Sequence, residues 1–322
     1  MDYNGQVMNE LFLEKIASEN EKVSEAASNY IRTRLREESF SRKIMRPEYV
    51  TKADCQRSVN HDQLVKIVDI EPNSKAMALN FRGRPDSKYI MGERYEIPFY
   101  KVSTEDYQKQ EEELLAYEMP ILDLIERNAV LDIQAIEDET FIKHVNAALA
   151  NNGKSEVFEA AVSGTYDAKS LDKYAFIQLF NLLANAGGTF ATPTATTTYT
   201  HDFDAKRYAT DCVLMNEYDY NLLLTWNATE IGDSVASQVI IDGYKYGTLM
   251  GKKIIVTNKG ALVPRGHLYA FTAKDYFGHA YILNDTKFFI EKRKDIITWS
   301  AYEAIGIGFG NTSGMARVYA TT

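Results

Sequence analysis

STEDYQKQEEELLAYEMPILDLIERNAVLDIQAIEDETFIKHVNAALANNG, residues 103–153, carries the strongest helical pattern in the chain. The polar start Ser103-Thr104-Glu105-Asp106 suits an N-cap followed by acids in the first turn. Pro120 falls inside the pattern and predicts either a kink or a fresh start with the proline in the first turn. Beyond it Leu122, Ile125, Ala129, Ile133, Ile136, Phe141, Val145 and Leu149 keep one face apolar for about eight turns. Asn151-Asn152-Gly153 then stops the helix. A rod of ~45 Å is long for a globular domain and suits a girder.

On the N-terminal side lies a segment of different character. LVKIVDI (64–70) reads as a strand, and Met77, Leu79 and Phe81 alternate with smaller or polar residues. RGRPDS (Arg82 to Ser87) supplies a Gly/Pro/Asp turn, and Tyr95, Ile97 and Phe99 alternate beyond it. The expectation is a long β-hairpin over 64–102. An isolated two-stranded hairpin is marginal in water, so one face needs a partner from this chain or from another copy.

Earlier still, Met8, Leu11, Phe12, Ile16, Val23, Ala26, Ala27, Tyr30, Ile31 and Leu35 predict an amphipathic helix or helix pair over 8–38. Its first half is acidic and its end basic (Arg32, Arg34, Arg36), as a helix macrodipole favours. The same segment also reads as an arm for a neighbouring subunit.

On the C-terminal side the pattern is α+β. A short helix is expected over 170–186, between Ser170 and Gly187-Gly188, followed by a Thr-rich loop, TFATPTATTTYTHD. CVLMN (212–216) reads as a strand running into a helix at 217–226. Strands are expected at 252–258, 267–271, 277–283, 286–293, 296–309 and 315–320.

Composition bounds the function classes. The chain has 322 residues, 45% hydrophobic, enough for a substantial core and roughly two domains. No run approaches the ~20 apolar residues that span a bilayer, and the N-terminus lacks the pattern of a secretory signal. A cytoplasmic site of synthesis is expected. The formal charge of -9 argues against a general nucleic-acid binder. A protein that encloses DNA without gripping it can be acidic. Cys55 and Cys212 form no disulfide framework and no metal half-site.

Candidates for chemistry are few. GIGFG (306–310) lacks the following helix and acidic residue of a dinucleotide loop, and reads as glycines where a strand approaches a neighbour. His201-Asp202-Phe203-Asp204 is the one tight group of ligand types, which otherwise reads as a solvated turn. His144 reads as a surface residue. The carboxylate runs Glu111–Glu113 and Glu137–Glu139 read as solvated helix faces. No catalytic, cofactor or metal residues are assigned.

The order of these parts resembles the major capsid proteins of tailed phages, over nearly the whole chain. VLMNEYDYNLLL (213–224) is similar to that family's strand-then-helix with a polar residue opening the helix. GTLMGKKIIVTNKGALVPRGHLYAF (247–271) and DTKFFIEKRKDIITWSAYEAIGIGF (285–309) follow in the family's order. The resemblance implies an α+β, HK97-like major capsid fold. Its parts would be an N-terminal arm (1–63), an extension loop (64–103), a peripheral domain with the spine helix (104–165 and 285–322) and an axial domain (166–284).

The function it implies is that of a non-enzymatic head protein. It would assemble with itself into hexamers, pentamers and a closed icosahedral shell around double-stranded DNA, with a scaffolding protein and a portal as partners and no membrane. The loop-tip residues Arg82, Arg84, Asp86 and Lys88 would contact acidic surface on a neighbour. Many members carry a longer, protease-removed N-terminal extension, whereas here the arm begins almost at once. A covalent crosslink would pair Lys75 or Lys88 with Asn311. The competing expectations are an encapsulin-like nanocompartment shell, a tail or connector protein, and a cytosolic metal-dependent hydrolase using His201, Asp202 and Asp204.

Overall fold

The computed structural model describes residues 5–57, 62–70, 81–84, 87, 93–116, 120–152, 155–157, 173–184, 209–223, 248–249 and 251–319. The chain divides into two compact units. The first comprises Met1–Val65, Pro98–Ile142 and Ala280–Ile307, and the second Lys66–Ile97, Lys143–His279 and Gly308–Thr322.

In the first unit, a long helix α1 (Gly5–Glu38) and the short α2 (Phe40–Ile44) open the chain. The expected helix or helix pair is therefore one long helix and a single added turn. A sheet runs in the order β1 (Glu48–Tyr49), β12 (His279–Arg293), β13 (Ile296–Gly308), β5 (Tyr100–Ser103), and β6 (Tyr107–Gln110) also pairs with β13. The two strands expected at 277–283 and 286–293 are one continuous strand, β12. Its β13 partner alternates strictly: Ile297, Trp299, Ala301, Glu303 and Ile305 are buried, while Thr298, Ser300, Tyr302 and Ala304 are part-exposed.

Helices cover the buried face. Phe12 of α1 stacks on Trp299 with ring centroids 6.3 Å apart, and Phe40 of α2 meets Phe141 edge-on at 6.4 Å. The Ser28 hydroxyl accepts the Phe288 amide at 2.9 Å, occupying a backbone donor of β12. Asn9 is 1% exposed and joins two elements. Its amide donates to the Leu114 carbonyl at 3.3 Å, and its oxygen accepts the Ile121 amide at 3.2 Å. The first of these closes α3 (Glu111–Leu115), and the second caps α4 (Ile121–Asn152). Helix α1 thus packs on the sheet of its own unit through Phe12 and Ser28.

The long helix departs from expectation at its start. Residues 104–110 are not helical. Ile296↔Gln110 and Trp299↔Tyr107 are sheet partners, and Thr104 exchanges bonds with Ala301, its amide donating at 2.9 Å and its hydroxyl accepting at 3.0 Å. Cross-strand pairing with β13 overrides the local helical preference of Tyr107–Gln110, and the helical run resumes at Glu111. The helix starts afresh at Ile121, directly after Pro120.

The second unit holds a six-stranded sheet in the order β7 (Ser155–Val157), β14 (Met315–Tyr319), β11 (His267–Phe271), β8 (Cys212–Asn216), β10 (Lys252–Thr257), β9 (Thr248–Leu249). Helix α5 (Lys173–Ala184) packs Ala175, Phe176, Leu179 and Leu183 against Val213, Met215, Leu268, Ala270, Ala316 and Val318. Asn146, in the last turns of α4, accepts from the Tyr269 hydroxyl at 3.4 Å and from Arg317 at 3.1 Å. Strand β8 turns into α6 (Glu217–Leu222) as expected: the Asn216 side chain caps it by accepting the Tyr218 amide at 2.9 Å. In the first unit β2 (Gln56–Arg57) pairs antiparallel with the start of β3 (Leu64–Ile70), Gln56 opposite Val65, and β3 and β4 (Glu93–Pro98) are the strands at the base of the hairpin. The strand pattern continues past Pro98, but Tyr100–Ser103 leaves the hairpin and pairs with β13.

Cys55 and Cys212 are not joined by a disulfide. The glycines of 306–310 behave as the strand reading expects. A Cβ on Gly308 would lie 2.5 Å from Ile97 Cγ1, and one on Gly310 would collide with the Tyr95 ring.

Candidate assembly surfaces and the buried charge cluster

The hairpin between β3 and β4 turns through Phe81–Arg84, and every residue of that turn is exposed. Asp86 and Lys88, the other two tip residues expected at a contact, lie outside the described residues, as do His201, Asp202 and Asp204. Phe81 is more exposed than in a reference extended peptide, at 111%. Sequence reading placed Phe81 on a strand face, whereas the structure puts it in the exposed turn. Alternation reveals that a side chain needs a partner, not that the partner is absent from its own chain. An exposed aromatic beside Arg82 and Arg84 combines the residue types that dominate binding interfaces. Lower on the hairpin Arg94 and Asp69 pair at 2.7 Å, both well exposed, an interaction worth about 0–1 kcal/mol.

In the first unit the sheet face away from the helices carries a second exposed feature. Phe289 and Tyr302 stack with parallel rings 5.1 Å apart, and the Lys101 ammonium sits 4.3 Å over the Tyr302 ring. Phe289 is 44% exposed. A shallow concavity beside this platform is lined by Glu105, Asp106 and Glu291 as well as Lys101, Ser103, Thr104 and Ser300, so three carboxylates and one lysine border the aromatic pair.

Beneath that sheet lies a charge cluster that sequence reading did not anticipate. Glu137 and Asp138 were expected on a solvated helix face, yet both are 0% exposed. Along α4 the buried line runs Ile133, Glu137, Phe141, Val145, and Ile136, expected on that face, is 44% exposed. The Glu137 carboxylate accepts from Arg42 Nε at 2.9 and 3.1 Å and from Nη2 at 2.5 Å. Arg42 Nη2 also donates to Glu303 Oε2 at 2.9 Å, and Thr286 Oγ1 donates to the same oxygen at 3.0 Å. Asp138 Oδ1 accepts from the Ser39 hydroxyl at 2.9 Å and the Ser41 amide at 3.0 Å. Ser39 in turn caps α2. Burial lowers the Arg42 pKa, but Glu137, Glu303 and Asp285 outweigh it and hold the guanidinium above its usual value. The run Glu111–Glu113 is solvent-facing, as expected.

In the second unit Asp219 of α6 is 3% exposed. Its Oδ2 accepts the Gly266 amide at 2.8 Å, while Oδ1 has no partner. Arg265 covers the Tyr218 ring at 4.2 Å. Burial pushes the Asp219 carboxyl up to about 6, against the lowering effect of the Gly266 bond and the Arg265 charge. A carboxyl raised in the folded state stabilises fully below its unfolded value, about 3.9, and that stability is lost as pH rises through about 6. Thermal melts between pH 4 and 7 are expected to show Asp219→Asn gaining on the wild type as pH increases. Parallel curves would refute the assignment.

Among the described residues no group of three His, Cys, Asp or Glu side chains is placed to hold a metal, and no helix is long and apolar enough to cross a membrane. His144 is exposed and meets Phe309 edge-on at 6.5 Å, consistent with a surface residue.

No family model and no curated protein matches the sequence. Solved structures do match. A Microbacterium phage Oxtober96 structure superposes with a TM-score of 0.55 at 10% identity, covering 87% of this chain and 90% of that one. The bacteriophage PhiM1 mature capsid gives 0.55 at 10% identity, covering 88% and 87%. The capsid of cyanophage P-SCSP1u gives 0.52 at 11% identity, covering 85% and 86%. Identity this low carries architecture alone, and the architecture shared along the chain is that of the HK97-like phage capsid proteins: this chain has their α+β fold.

Proposed function

We propose that this chain is a major capsid protein, a non-enzymatic subunit that assembles with copies of itself into pentamers, hexamers and a closed icosahedral shell around phage double-stranded DNA. The observation that carries the reading is the likeness of nearly nine-tenths of the chain to phage capsid subunits. The exposed Phe81-Arg82-Gly83-Arg84 turn supports it, because a monomer gains nothing from a solvent-facing Phe at a loop tip. Asp86 and Lys88 belong to the same proposed contact. A scaffolding protein and a portal complete the partners, and assembly takes place in the host cytoplasm, with the mature subunit residing in the virion.

The carboxylates of Glu105, Asp106 and Glu291 offer the charge complement for Arg82 and Arg84 of a neighbouring copy. A head-to-tail contact of this kind, one patch meeting a different patch, closes into rings. Charges at its edge fix register more than affinity. An encapsulin-like shell would share this fold and differ in holding protein cargo instead of DNA.

Negative-stain microscopy of the purified protein tests the assembly role. Closed shells or five- and six-fold rings are expected, and a monodisperse species of one or two chains in every buffer would overturn it. Deleting Arg82 to Ser87 is expected to leave a folded subunit with unchanged melting behaviour that assembles poorly. Normal shells from that deletion would remove the loop from the interface.

A further inference from the structure

Glu137, Asp138 and Glu303 are all fully buried, and one guanidinium, Arg42, bonds both Glu137 and Glu303. With both ionised, Glu137 and Glu303 would place two negative charges beside one cation away from water, a state that desolvation strongly opposes. Asp138 is solvated internally by the Ser39 hydroxyl and the Ser41 amide. Glu137 and Glu303 are not treated alike. Both oxygens of Glu137 accept from Arg42, whereas Glu303 uses only Oε2, and its Oε1 is buried with no partner. An orphaned carboxylate oxygen is costly, but an O–H at that position beside the Glu137 carboxylate is not.

We infer that Glu137 and Glu303 hold a single proton between them, carried on Glu303, and that this proton is a latch for the segment Ser39–Met45. With it in place, Arg42 faces one full carboxylate, and the segment is seated by the cluster. When the proton leaves, the buried negative charge exceeds the cation, and the segment is released together with its hold on helix α1. The other titratable groups facing the cluster are Asp138 on α4, Asp285 on β12 and Tyr100 on β5, and each adds negative charge when ionised. Thr286 and the α2 serines contribute only neutral donors.

Burial first, then the charge and hydrogen bond of Glu137, hold the Glu303 carboxyl well above the usual carboxylate range, with Arg42 and Thr286 opposing. Its stabilising contribution is therefore complete below the unfolded value of about 4.5 and is lost as pH rises through the folded one. The latch opens on the alkaline side.

The test compares wild type, Glu303→Gln and Glu137→Gln as full-length chains in denaturant titrations from pH 5 to 9.5. Asp219, Glu126 (raised to about 7 by burial and by Asp123) and Cys212 (raised by burial) titrate alike in all three chains, so the difference between wild type and variant reports this pair. In the alkaline part of that range the wild-type unfolding constant is expected to rise by up to about tenfold per pH unit relative to either variant. Each variant keeps one carboxylate for one guanidinium. Hydrogen exchange of the Ser41 and Arg42 amides, corrected for the intrinsic rate, should accelerate over the same range in wild type and stay flat in Glu303→Gln. Identical pH slopes in wild type and Glu303→Gln would overturn the latch. Should the variants not fold, infrared spectroscopy of the wild type at pH 8 decides: the carbonyl band of a non-ionised carboxylic acid supports the shared proton, and its absence refutes it.

Discussion

Arg42→Ala is expected to destabilise the subunit by about 3–5 kcal/mol, the typical loss when one partner of a buried ion pair is removed and the other stays behind. Arg42 supplies every charged bond to Glu137 and one of the two bonds to Glu303. Alanine also leaves a void between α2, α4 and the sheet. A domain with a typical stability of about 5–15 kcal/mol would lose about a fifth of it or more. The effect should be read from the denaturation midpoint at pH 7, with Arg42→Met as the companion variant. Methionine fills the void and leaves the charges unpaired, so a similar loss in both assigns the effect to electrostatics. Full recovery in Arg42→Met would assign it to packing.

Trp299→Ala is expected to cost about 3–5 kcal/mol through transfer and cavity terms. Trp299 is 0% exposed, and its ring is the surface on which Phe12 of α1 rests. The variant should therefore lose protection of α1 against proteolysis along with global stability. Trp299→Phe keeps an aromatic platform and discards the indole N–H, which has no hydrogen-bond partner. Its loss should be clearly smaller. An alanine variant as stable as the wild type would mean that α1 does not depend on the sheet for its seat.

The parts of this fold that could be read from sequence are those whose determinants are local. CVLMN, ending in Asn216, and the EYDYNL that follows contain their own strand, cap and helix start, and the structure reproduces all three. Pro120 marks the true beginning of α4 because a proline restricts its own neighbourhood. The misread parts depend on distant partners. Tyr107–Gln110 has helical composition, and only its pairing with Ile296–Trp299 makes it a strand. Glu137 sits at a core position of α4 that a hydrophobic pattern rejects, and what admits it is Arg42, 95 residues away. For the same reason the acidic run Glu111–Glu113 and the run Glu137–Glu139 look alike in sequence, yet only the first is solvated. The exposed turn through Arg82 and Arg84 was legible from its Gly/Pro/Asp chemistry. Phe81 was not, since alternation does not reveal how exposed a side chain remains.

The first unit is assembled from three separate stretches of chain, and Arg42 finds Glu303 across 261 residues. At about 5–20 residues per second, a ribosome needs roughly 13–50 s to produce the second after the first. During that interval Phe12, Ile31 and Arg42 have no sheet to cover, while the middle of the chain already holds α5, β8, α6, β10 and β11 of the second unit. A nascent chain that must keep its opening helix waiting for its closing strands is a natural client for chaperones, and its yield should depend on them more than its final stability suggests.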